Sequence, residues 1–122
     1  MLRGVSSNSE LTGRWQMIRA ELDGESAPEM VTSRMILELG AGSYSVVYAG
    51  EVSDAGLWDN GTNAGTLTLV GRHGPNAGRR IPCIYQLAGD RLRVCYGLDG
   101  NEPSSFSTTG QTQRYTATYR RL

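Results

Sequence analysis

The residues able to do chemistry in this chain are few and poorly matched to one another. His73 is the single histidine, and Cys83 and Cys95 are the only cysteines. Imidazole and thiolate are ordinary zinc ligands, but a site needs three or four groups converging on one point. A Ser-His-Asp or Cys-His set would have to take its base from His73. That residue stands beside Gly74-Pro75 and reads as a solvated loop histidine. The acids Asp54 and Asp59, and the run Asp99-Gly100-Asn101-Glu102, read as solvated turn residues, the run having too few oxygen ligands for a calcium loop. With no acid–base pair and no metal set, neither enzyme activity, a metal nor a cofactor is expected.

Two further sets carry polar chemistry. The stretch Gly74-Pro75-Asn76-Ala77-Gly78-Arg79-Arg80 is glycine-rich and basic, and backbone amides in such a loop can cradle an anion. It leads into a strand pattern rather than a helix, so it lacks a helix dipole, and it reads as a long hairpin loop with glycine at the positive-φ positions. The tyrosines Tyr44, Tyr48, Tyr85, Tyr96, Tyr115 and Tyr119 are all six in the chain, and each falls in the apolar phase of an alternating segment. A buried phenol needs a hydrogen-bond partner, yet the rest of that phase is Leu, Val and Met. Six hydroxyls in one interior imply that it is partly wet or open at one end. Ala117, between Tyr115 and Tyr119, leaves room rather than filling it. The expectation is an interior pocket lined by the six tyrosines, suited to an apolar body with a few polar groups.

The elements that must position these groups are strands. In 81–87, Ile81, Cys83, Tyr85 and Leu87 alternate with Pro82, Ile84 and Gln86; in 91–96, Leu92, Val94 and Tyr96 alternate with Arg91, Arg93 and Cys95. Such period-two alternation puts each set on one face of a sheet. Gly89-Asp90 supplies a two-residue turn, which places Leu87 opposite Leu92, Tyr85 opposite Val94, Cys83 opposite Tyr96 and Cys95 opposite Ile84. The thiols then point to opposite sides and no disulfide is expected. The same alternation marks strands at 32–39, 43–49, 66–72 and 113–120, a weaker one at 51–60, and a short edge strand at 104–108 around Phe106, the only Phe. In 11–23, Leu11, Trp15 and Met17 share one phase, and Ile18, Ala20 and Leu22 the other. A phase change inside one strand indicates a bulge. Turns are expected at Asp23-Gly24, Asn60-Gly61 and Gly110-Gln111, and a connecting loop with at most one helical turn at 26–30. No segment sustains a 3.6-residue period, and the connections are short. Eight to ten strands joined in this way close into an antiparallel up-and-down β-barrel. One domain is expected over 11–122, preceded by a flexible tail at 1–10.

Gly13-Arg14-Trp15 at the start of the first strand resembles the Gly-x-Trp of lipocalins, in which the Trp closes one barrel end beneath an Arg from the last strand. The resemblance implies barrel closure by Gly13 and Trp15 with Arg120 or Arg121. Leu11-Thr12-Gly13-Arg14-Trp15, Leu22-Asp23-Gly24, Gly74-Pro75-Asn76-Ala77-Gly78, 84–92, Cys95-Tyr96, 103–107 and Tyr119-Arg120-Arg121 follow in that order. Together they resemble a family of small bacterial lipocalin-like domains, abundant in planctomycetes and named for having no known function. The family has Arg before the Pro that Pro103 matches, and Glu102 reverses that charge here. The resemblance implies a lipocalin-like barrel and no activity.

Composition narrows the rest. Arginine supplies all 12 basic charges, there is no Lys, and 12 acids balance them, which speaks against nucleic acid as a partner. No apolar run approaches the roughly 20 residues of a membrane span, and 1–10 lacks the apolar core of a secretory signal, so a cytoplasmic protein is expected. The expected function is a non-enzymatic binding module holding one small apolar or amphipathic ligand. The alternative is a protein-interaction domain, inhibitor- or immunity-like, with a filled barrel that acts through its rim loops.

Overall fold

The computed structural model describes residues 10–109 and 113–122. The expected tail, apart from Glu10, and the expected turn at Gly110-Gln111 lie outside them. The hairpin that phases the sheet is formed by β7 (Arg80–Ala88) and β8 (Arg91–Gly97), with Leu87 opposite Leu92, Tyr85 opposite Val94, Cys83 opposite Tyr96 and Ile84 opposite Cys95. Gly89 takes φ +61° at the first turn position, a conformation that side chains with a Cβ rarely adopt. A one-residue slip would turn Val94 and Tyr96 outward, so burial and turn geometry agree on one register.

Around this hairpin the chain runs β1 (Gly13–Leu22), β2 (Glu25–Ser26), α1 (Glu29–Thr32), β3 (Met35–Leu39), β4 (Ser43–Tyr48), β5 (Glu51–Asn60) and β6 (Thr66–His73), with β9 (Arg114–Arg121) after β8. Each of β3 to β9 pairs antiparallel with the next, and β1 joins β3 on one side and β9 on the other. The result is a closed antiparallel eight-stranded β-barrel. The extra two-residue strand β2 folds back on the end of β1 through the Asp23-Gly24 turn. The phase change in β1 is a bulge: the β1–β9 register shifts between Met17 and Arg19. Ile18 is thereby left partly exposed, while Trp15, Met17 and Ala20 all enter the core.

The expected strand at 104–108 does not form. Both edges of β8 are already paired, so no ladder is open to the segment. It runs instead as an irregular strap over the outer face of β8, β9 and β1. Thr116 Oγ1 donates to the Phe106 carbonyl at 2.7 Å, and Thr108 Oγ1 donates to Glu21 Oε1 at 2.5 Å while accepting the Gly24 amide at 2.9 Å. Arg93 lies 4.0 Å above the Phe106 ring. Cys95 therefore reaches zero exposure although it faces outward, and both thiols are free.

Strand direction divides the barrel into two ends. One end carries the chain entry and exit and the turns 40–42, 61–65 and 89–90; the other carries α1 and the loops 74–79 and 98–109. At the first end Trp15 is fully buried and its Nε1 donates to the Leu11 carbonyl at 3.0 Å. Arg121 Cζ sits 4.2 Å from the indole centroid, and its Nη1 and Nη2 donate to the carbonyls of Thr12 at 2.9 Å and Glu10 at 2.7 Å. Gly13 allows that approach, since a Cβ there would meet Arg121 Nη1 at 3.0 Å. Arg120 pairs across from Gln16 and Arg91 on the outer face and is exposed, so of the two arginines only Arg121 covers the Trp. The first strand begins at Gly13 rather than Leu11, because Leu11 is used as a fully buried plug under this end.

Candidate binding cavity

Inward side chains from all eight barrel strands leave a cavity of about 160 Å³ in the half away from Trp15. Its wall is mainly apolar, with Met17, Met35, Leu37, Val46, Leu69 and Ile81, and the polar side chains in the wall are Tyr44, Asp54, Asn76, Tyr96, Tyr115 and Tyr119. Asn76 and Leu98 come from the two loops at that end. Such a mixture of apolar wall and a few convergent polar atoms is typical of small-molecule sites, although 160 Å³ lies below their usual range of roughly 300–1,000 Å³. It matches the size of apolar cavities of about 150 Å³ that take one benzene.

Two polar clusters face this space. In the first, Tyr44 donates to Asp54 Oδ2 at 3.0 Å, Asn76 Nδ2 donates to the same oxygen at 3.2 Å, and the Asn76 amide donates to Asp54 Oδ1 at 3.4 Å. Asp54 was expected in a solvated turn. It lies instead inside β5, opposite Val46, and is only 7% exposed. The Tyr44 ring crosses Gly56, where a Cβ would lie 2.8 Å from Tyr44 Cε2 and 2.1 Å from the Val70 carbonyl oxygen; a side chain there would displace the ring or the strand. Burial, followed by the charge of Asp54 and the hydrogen bond to it, pushes the Tyr44 phenol up, which keeps it a neutral donor.

The glycine-rich loop belongs to the same cluster. Its amides are consumed: Ala77 donates to Gly74, Gly78 to Gly71, Arg79 to Asn76 and Asn76 to Asp54. The anion this loop holds is the chain's own carboxylate. Gly74 and Gly78 take φ +91° and +83°, as a hairpin loop of this kind requires. The Arg79 side chain then spans the two rim loops, donating to Asn76 Oδ1 at 3.1 Å and to the Leu98 carbonyl.

The second cluster is phenolic. The Tyr96 and Tyr119 oxygens lie 2.6 Å apart, the Tyr115 ring stacks on Tyr96 at 5.3 Å between centroids, and Tyr115 donates weakly to Met17 Sδ at 3.9 Å. Burial raises the pKa of all three, helped for Tyr96 by Tyr119 and for Tyr119 by Tyr115, while the bond to Tyr96 acts against the rise at Tyr119. Burial likewise pushes the Cys83 thiol up, so this interior cysteine is held as an unreactive thiol.

The cavity thus gathers Tyr44, Tyr96, Tyr115 and Tyr119 but neither Tyr48 nor Tyr85. Tyr48 sits across from Met35 and Glu51 at the outer end of β4, half-buried. Tyr85 points inward but packs against the core in the half nearer Trp15. His73 is exposed at the end of β6. Asp99 is occupied by the Asn101 amide at 3.0 Å and by Arg114 at 2.6 Å, and these bonds lower its pKa. Among the described residues, no group of three His, Cys, Asp or Glu side chains is placed to share a metal, and no helix is long and apolar enough to cross a membrane. Reasoning from sequence missed Asp54 and Asn76. Counting back by twos from Trp58 to Gly56 and Asp54 was the available signal for the first; the second has none short of the fold. No protein-family model and no curated protein matches this chain.

Proposed function

We propose that this barrel is a non-enzymatic binding module for one small apolar or amphipathic molecule, held in the cavity between the two polar clusters. The observation that carries the reading is the cavity itself, an apolar chamber with phenol and carboxylate groups gathered from separate strands. The closure of the opposite end by Trp15 and Arg121 supports a lipocalin-like domain. The interaction-domain alternative would draw support from an apolar patch at Trp58 or Phe106. Trp58 is 3% exposed with Nε1 bonded to the Gly40 carbonyl, and Phe106 lies under Arg93, so neither residue lends it weight.

Burying a single ring of about 150–250 Å² at roughly 25 cal/mol/Å² gives about 4–6 kcal/mol before binding costs. Once the binding costs are deducted, this corresponds to a Kd of about 1 mM or weaker. Toluene titrated into the protein should shift the methyl resonances of Met17 and Met35 with millimolar saturation. Val46→Phe places a ring in the chamber and should abolish the shifts while the protein stays folded. Unperturbed methionine methyls at saturating toluene would overturn the reading.

A further inference from the structure

We infer that the occupant of this cavity is a neutral molecule that accepts a hydrogen bond, through a carbonyl or ether-type oxygen, from the Tyr96–Tyr119 pair; this rests on the binding-module reading above. Each phenol has one O–H to donate. In the cavity wall the Tyr44 O–H goes to Asp54 and the Tyr115 O–H to Met17 Sδ. Tyr96 and Tyr119 share one hydrogen bond at 2.6 Å in which either can donate. Two hydrogens meet one bond, so one O–H of the pair is always left over. Both residues are buried, at 8% and 3% exposure, both line the cavity, and among the described residues neither hydroxyl has a further partner. A buried donor without an acceptor is rare and unfavourable. The cavity that both side chains line is where an acceptor can reach that O–H, either a ligand oxygen or a water that such an oxygen replaces.

The charge of the occupant follows from the other cluster. No Arg contributes to the wall, the chain has no Lys, and the Asp54 carboxylate faces the same chamber. An anion would enter a low-dielectric space with a like charge and no counter-charge. Asp54 already accepts from Tyr44 and twice from Asn76, which leaves it poorly placed to take up a strongly donating ligand. What remains is an apolar ring or short chain with an oxygen acceptor at one end.

Cyclohexanone and methylenecyclohexane have the same shape and differ in C=O against C=CH₂. Titrated separately and followed by the Met17 and Met35 methyls, cyclohexanone should bind about tenfold more tightly. In Tyr96→Phe/Tyr119→Phe, which removes both partners and keeps their shape, the preference should vanish or reverse. Butyrate should bind at least tenfold more weakly than 2-pentanone, its neutral counterpart. Equal binding of the two cyclic probes to the native protein, or a preference that survives in the double variant, overturns the acceptor inference while leaving the binding module standing. Equal binding of butyrate and 2-pentanone overturns the neutral assignment. Binding of neither cyclic probe removes the cavity reading and this inference together.

Discussion

Replacing Asp54 by Ala removes three hydrogen bonds at once. The Tyr44 hydroxyl, on a side chain only 2% exposed, loses its acceptor, and Asn76 loses both of its bonds to β5, leaving loop 74–79 held by its backbone bonds to Gly71. Hydrogen bonds to a charged group contribute roughly 1.5–3 kcal/mol each, and an orphaned buried donor costs roughly 1–3 kcal/mol. Against this, the carboxylate no longer bears its own desolvation penalty. The balance is a loss of about 2–4 kcal/mol. For 122 residues, unfolding entropy of about 2.1 cal/mol/K per residue turns that into a fall in Tm of about 8–16 °C. Tyr44→Phe should cost about 1 kcal/mol, because Asn76 still holds the carboxylate. In the Asp54→Ala background the same change should be nearly neutral, giving a coupling of about 1 kcal/mol in a double-mutant cycle. Urea unfolding followed by the fluorescence of Trp15 and Trp58 measures all four corners, and hydrogen exchange of the amides at 76–79 should accelerate in Asp54→Ala. A loss below about 0.5 kcal/mol, or an equal cost of Tyr44→Phe in both backgrounds, would refute the claim that Asp54 is the internal anion of the loop.

Two further outcomes follow from the same geometry. Arg121→Ala removes two hydrogen bonds and the stack on Trp15; the expected loss is about 1–2 kcal/mol, with a weakened near-ultraviolet dichroism of Trp15, and an unchanged urea midpoint would count against closure by this residue. Stability should also fall at high pH. Tyr44, Tyr96, Tyr115 and Tyr119 all have native pKa values raised above the ordinary 10.0, and that of Cys83 is raised above 9.0. Below those ordinary values both states keep the protons and the contribution is intact. As pH climbs through them toward the raised native values, the unfolded chain releases protons that the native chain retains, by up to about 1.4 kcal/mol per pH unit for each group. No Lys is present to titrate in the same range. The urea midpoint should drop between pH 9 and pH 11, less steeply in Tyr96→Phe/Tyr119→Phe, and a flat profile would refute the burial of these phenols.

What could be read from the sequence, and what could not, divides along physical lines. The β7–β8 register was legible because a two-residue turn fixes the offset and period-two burial fixes the faces, so two independent constraints meet on one answer. The bulge at Ile18 was legible as a broken phase. The fate of individual tyrosines was not, because phase tells which side of the sheet a residue faces but not its height along the barrel axis. Height depends on the stagger of the strands, and that stagger sets Tyr85 in the Trp15 half and Tyr48 near the rim. Asp54 shares the phase of Trp58, but the β4–β5 register shifts at Val46/Val47 and the β5–β6 register at Ala55/Gly56, so that phase extends over only a few positions of β5 and stands out less than in its neighbours. The strap at 104–108 carries a strand-like pattern, and only the completed pairing of β8 denies it a partner.

The choice of aromatic residue bears on why the cavity is polar at all. A barrel selected only for a well-filled interior has no use for phenols where phenyl rings would fit. Phe brings the same ring without a hydroxyl to satisfy, and core designs restrict Tyr to places where its O–H can reach a partner. This chain has six Tyr and one Phe, and the Phe lies outside the barrel under Arg93. Two of the four cavity phenols carry hydroxyls that a packing argument can explain: Tyr44 fastens Asp54 and through it the loop, and Tyr115 reaches Met17. The Tyr96–Tyr119 bond joins two strands that are already paired, and it leaves a proton over in a chamber that both side chains line. Paired phenols that hold no other element in place are better explained by what enters the space than by what surrounds it.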